Sequence, residues 1–186
     1  MLYLVRHGTT NQGFFRTPGD LRPATYDEWI QDHELSDRGV REAESLRRRL
    51  ALMQPLDRVL ASPRKRTTET ARIALPSREA EVDSRLHEWH VDERIPELLQ
   101  RARWVLQQGE ENIVAVFSHG GLIRAVIAAL AVGGDDERFG ATFDDLRRVL
   151  HIWNGSLTIV GHGASGLELL AVNLCDDIDA MAGRKV

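Results

Sequence analysis

The chain has 186 residues, of which 42% are hydrophobic and 28% charged, a balance that fits one globular domain over residues 1–186 and excludes two large ones. With 24 Lys and Arg against 28 Asp and Glu, a net charge of −4, there is no broad basic field to drive nucleic-acid or membrane binding, although a local arginine cluster could still hold an anion. Cys175 is the single cysteine and has no partner for an internal disulfide, and the apolar run from Met1 to Val5 is too short for a secretory segment or a membrane span. A soluble cytoplasmic protein is expected.

Leu2 to Val5 is a short continuous apolar run that stops at the polar turn Arg6-His7-Gly8, the pattern of a buried parallel strand. From Thr9 to Glu34 the composition turns polar and rich in Gly and Pro, with Phe14, Phe15, Tyr26 and Trp29 scattered through it. A long active-site loop is expected over residues 8–35, with a short helix near Tyr26 to Gln31. Ser36 offers an N-cap to an amphipathic helix carrying Val40, Ala43, Leu46, Leu50 and Met53 on its inner side. Arg58 to Ala61 is a second strand, followed by Ser62-Pro63 and a helix from about Arg64 to Leu75. Pro96 to Gln108 makes another helix, and Ile113 to Phe117 is the clearest buried strand. It runs into Ser118-His119-Gly120-Gly121 and then an almost wholly apolar helix, Leu122 to Val132. His151 to Trp153, Ser156 to Val160 and Leu167 to Leu174 read as late strands, and residues 176–186 as a frayed tail.

Strands that alternate with helices predict an α/β fold, a three-layer α/β/α sandwich with a largely parallel central sheet that gathers ligands at the carboxyl ends of its strands. His7 and His119 each end a predicted strand and precede glycine, so both rings can meet over one pocket. Arg6 and Arg66 stand at strand ends too, and a planar guanidinium fork suits phosphate oxygens. His87, His90 and Asp92 lack the spacing of a zinc site and read as surface residues, so no metal is expected.

These segments resemble the histidine phosphatase superfamily, the phosphoglycerate mutase-like group. Leu4-Val5-Arg6-His7-Gly8-Thr9-Thr10 is similar to its opening signature, and Leu35-Ser36-Asp37-Arg38-Gly39 with Glu42-Ala43 to the start of its first long helix. Ala61-Ser62-Pro63-Arg64-Lys65-Arg66 through Thr70-Ala71 resembles its second arginine motif, Leu86-His87-Glu88 its acid segment, Val116 through Arg124 its second histidine motif, and Asn154-Gly155-Ser156 a late turn. The resemblance implies a phosphatase that works through a phosphohistidine on His7, without metal or other cofactor. Catalytic roles fall to His7, Glu88 and His119, and phosphate binding to Arg6, Arg66 and Gly120. Asp92 and Glu93 are alternatives to Glu88 as the acid.

The chain departs from the family pattern at Gly13, where an asparagine is common; Asn11 or Gln12 could substitute. The stretch between Glu88 and His119 is too short for the usual cap, which predicts an open pocket and disfavours mutase chemistry. The aromatic residues of the Thr9 to Glu34 loop could replace part of that cap. The expected partner is a small phosphorylated substrate or a phosphoprotein. A protein phosphohistidine phosphatase is one alternative, and a catalytically weak phosphate-binding regulatory protein is another of a different class.

Overall fold

The computed structural model describes residues 1–11, 32–164 and 166–175. Among them β1 (Leu2–Arg6), β2 (Arg58–Ala61), β3 (Glu81–Val82), β4 (Val114–Ser118), β5 (Leu157–Gly163) and β6 (Gly166–Leu174) form one six-stranded sheet in the order β3-β2-β4-β1-β5-β6. β1, β2, β3 and β4 pair in parallel, and β5 and β6 add an antiparallel edge.

Side-chain alternation along the central strands explains the layering. Leu2 and Leu4 of β1 and Val114 and Val116 of β4 point to one face, where α3 (Ile95–Glu111), α4 (Gly120–Val132) and α5 (Asp136–Val149) bury Leu98, Ala102, Val126, Phe139 and Phe143. Tyr3, Val5, Ala115 and Phe117 point to the other, against Leu46 and Leu50 of α1 (Asp37–Leu50) and Ala71 and Ala74 of α2 (Lys65–Ala74). Both faces of the sheet are covered, which is what near-continuous apolar strands require. The result is an α/β/α sandwich.

Local chemistry sets the helix starts as the sequence predicts. The Ser36 hydroxyl caps α1 by accepting from Gly39 N at 3.1 Å, and Pro96 lies in the first turn of α3. Three features differ from expectation. His151 to Trp153 is not a strand: Ile152 is buried, but this segment has no ladder partner and its carbonyls serve side chains instead. α5 and the two-residue β3 are absent from the expected elements. No helix among the described residues is long and apolar enough to cross a membrane. The helix expected near Tyr26 to Gln31, the aromatic loop residues through Trp29, and the tail at 176–186 lie outside the described residues.

Candidate active site

Sheet register builds the site. Arg6 pairs with Ser118 and Ala61 with Phe117, so the residues that follow β1, β2 and β4 emerge side by side. Backbone bonds extend that alignment past the strands, from His7 N to Ser118 O and from Ser62 N to Phe117 O, each at 3.0 Å. His7 and His119 meet edge to face with ring centroids 5.2 Å apart, and both are buried.

The His7 ring is fixed at both nitrogens. Nδ1 lies 2.8 Å from the Gly8 carbonyl, an acceptor only, so Nδ1 carries the proton. Nε2 therefore presents its lone pair, and Arg66 Nε donates to it at 3.3 Å. Burial, followed by the charges of Arg66 and Arg6, holds the His7 pKa well below the usual imidazole value. The ring is neutral at physiological pH, with the Nε2 lone pair unprotonated. His119 is neutral for the same reasons, burial first and Arg66 second. Its Nδ1 lies 3.3 Å from Arg66 Nη2 and its Nε2 2.9 Å from the Ser62 hydroxyl.

Arg66 thus bridges the two histidines from the first turn of α2. Arg6 donates through Nη1 to the Ile152 carbonyl, which turns its guanidinium back across the sheet end. Gly120 begins α4 directly after His119. The Glu88 carboxylate sits on this helix end, its Oε1 accepting from Gly121 N at 2.8 Å and from Trp89 N at 3.0 Å. Of the alternative acids, Glu93 is engaged by Arg101 through contacts of 2.7 and 2.6 Å, and the Asp92 side chain is 72% exposed beside His90. The predicted residues His7, His119, Arg6, Arg66, Gly120 and Glu88 are accordingly gathered around the ends of β1, β2 and β4.

Asn11 is directed elsewhere: its amide donates to the Leu35 carbonyl at 3.1 Å. Gln12 and Gly13 lie outside the described residues. His87 is half-buried rather than a surface residue, and burial, with Arg64, Arg101 and Arg66, lowers its pKa to about 4. No group of three or more His, Cys, Asp or Glu side chains placed to share an ion occurs among the described residues.

A further layer of side chains supports these residues. Thr70 accepts from Gly8 N at 3.0 Å, Asn154 Nδ2 donates to the His7 carbonyl at 3.1 Å, and Glu42 accepts from Thr9 N at 2.8 Å and from Arg38 Nε at 3.0 Å. Glu42 had a legible signal, an acid on the otherwise small and apolar inner face of α1. Trp89 meets Phe143 of α5 at 5.3 Å between ring centroids, and the Arg147 guanidinium stacks 4.4 Å over Trp89.

The family model for the histidine phosphatase superfamily, branch 1, matches residues 2–97. The chain belongs to this superfamily. That membership supports phosphatase activity. Solved structures that share the fold include the open reading frame Rv3214 from Mycobacterium tuberculosis, at 23% identity and a TM-score of 0.69 over 94% of this chain and 97% of that one. Phosphoserine phosphatase from Entamoeba histolytica, in complex with 3-phosphoglyceric acid, gives 18% identity and a TM-score of 0.70 over 93% and 96%. The mycobacterial glucosyl-3-phosphoglycerate phosphatase gives 22% and 0.66 over 92% and 98%. At these identities the likeness is one of fold. No curated protein matches the chain.

Proposed function

We propose that this member of the superfamily is a metal-independent phosphomonoester hydrolase acting through a phosphohistidine on His7. The observation that carries this reading is the His7 ring itself, neutral, with Nδ1–H bound to Gly8 and Nε2 turned to Arg66. Nε2 attacks phosphorus in line with the ester oxygen. As the N–P bond forms and the P–O bond breaks, Glu88 gives its proton to the departing alcohol. Arg6, Arg66 and the first amide of α4 stabilise the charge on the equatorial oxygens. Water then attacks the phosphohistidine, Glu88 takes its proton, and phosphate leaves with His7 neutral again. His119 lines the same space, held by Ser62.

The neighbours named for phosphoserine and glucosyl-3-phosphoglycerate support a small phosphorylated metabolite as the substrate class. A purely phosphate-binding protein has no use for a nucleophile held in one tautomer, which disfavours the regulatory reading. The test is hydrolysis of p-nitrophenyl phosphate in the presence of EDTA, with phosphate labelling of the enzyme quenched in alkaline denaturant, where the N–P bond survives. The expected result is metal-independent turnover, with phosphate on His7 and none in His7→Ala. Turnover that survives His7→Ala overturns the mechanism.

A further inference from the structure

Arg124 lies one turn into α4 from Gly120, and long helical side chains lean back toward the N-terminus of their own helix. Its Nη1 and the Nε of Arg6 accordingly lie within 3.5 Å of the same point, the position a Cβ on Gly120 would take. Two guanidinium groups thus stand beside the helix end that carries Glu88. Arg124 is half-buried and its Nε donates to the Leu150 carbonyl at 2.6 Å. Among the described residues it has no ion-pair partner; Glu88 attracts it from a longer distance, and Arg147 repels it. Arg147, over Trp89, is by contrast paired with Asp144 at 3.0 Å.

A half-buried cation without a counter-ion is costly, and a ligand anion relieves that cost. The Leu150 bond uses Nε and leaves both terminal nitrogens, a fork that matches the two oxygens of a carboxylate. On the reading above, Arg6 and Arg66 serve the transferring phosphoryl group, whereas Arg124 stands on the side of Glu88, where the alcohol departs. We propose that Arg124 recognises a carboxylate on the alcohol part of the substrate, so that small phosphate esters of hydroxy acids are preferred over those of neutral alcohols. This rests on the phosphatase reading.

The test compares two esters of similar size, 2-phosphoglycolate and 2-hydroxyethyl phosphate, in the wild type, Arg124→Gln and Arg124→Lys. The wild type is expected to favour phosphoglycolate by roughly 10- to 100-fold in kcat/KM, the scale of one charge-assisted contact. Arg124→Gln should bring the ratio close to unity and Arg124→Lys should retain part of it. No preference in the wild type, or an equal loss on both esters in Arg124→Gln, overturns the proposal and leaves Arg124 as a tie to Leu150. Preference for ethylene glycol bisphosphate over phosphoglycolate overturns the assignment to a carboxylate. Calorimetric binding of both esters to the His7→Ala protein gives the same ratio without turnover. If p-nitrophenyl phosphate and both esters are left intact, the phosphatase reading falls, and this binding ratio still decides the role of Arg124.

Discussion

Replacing Gly121 by alanine separates a cost to chemistry from a cost to folding. A Cβ at this position would stand 2.2 Å from Glu88 Oε1 and 3.2 Å from Trp89 Cβ. The carboxylate, at the end of a flexible side chain, has to swing away and lose its 2.8 Å bond to Gly121 N. Displacement of a catalytic group by roughly 1 Å costs on the order of 10²-fold, and loss of one charge-assisted hydrogen bond, about 1.5–3 kcal/mol, gives a similar scale. Stability should hardly change, because alanine in a helix gains roughly 0.5–1 kcal/mol over glycine and offsets the local adjustment. The assay compares an alkyl phosphate, whose alkoxide needs a proton to depart, with p-nitrophenyl phosphate, whose phenolate leaves without one. Gly121→Ala should lower kcat on the alkyl ester by about 10- to 100-fold and on the aryl ester far less. Equal losses on both substrates, or none, would refute the role of Glu88 as the acid.

Three further outcomes follow from the support layer and the histidines. Gly155→Ala places a Cβ 2.5 Å from Glu42 Cβ on a backbone with φ of +63°, and thermal unfolding should show a loss of about 2 kcal/mol or more, a fall in Tm of roughly 4–8 °C. An unchanged Tm would mean that the turn and α1 separate easily. Glu42→Ala strands the Thr9 donors and Arg38, so urea unfolding should register a loss of about 1–3 kcal/mol, and kcat should fall as the turn after His7 loosens. In the folded state His7, His119 and His87 all have pKa values below the ordinary 6.5, so the unfolded chain binds more protons just below that pH. Stability is therefore full above about 6.5 and is lost as pH falls, for His87 down to about 4. Imidazole chemical shifts followed against pH check this, with a His7 midpoint near 6.5 as the contrary result.

Strand ends were the legible part of this molecule. Continuous apolar runs such as Leu2 to Val5 and Ile113 to Phe117 can be satisfied only between two helical layers, so both their strand character and their parallel company follow from composition. The histidines and arginines beyond them were visible as candidates for the same reason. α5 escaped because it opens after Gly133-Gly134, has Gly140 in its middle and buries only Phe139 and Phe143 completely, although Leu146 and Leu150 continue the same stripe. His151 to Trp153 imitates a strand because it buries Ile152 between less buried neighbours, but side-chain donors replace the ladder. The place of Glu88 rests on Gly121 N, a contact between residues far apart in sequence that no spacing rule encodes, and the motif that holds Arg124 carries no sign of its environment.

The segment around residues 150–155 has a consequence for how the enzyme is made. Arg6 donates to the carbonyl of Ile152, Asn154 to that of His7, and Gly155 N to those of both Arg6 and His7. β1 itself lies between β4 and β5. His7 leaves the ribosome before any neighbour that fixes its backbone from this side, because Ile152, Asn154 and Gly155 are synthesised much later. Closing so long a loop is entropically slow and must precede any reward from the contacts. During translation, therefore, β1 can pair with β4 but keeps an open edge on the β5 side, and the turn at His7 is completed only when the late segment docks.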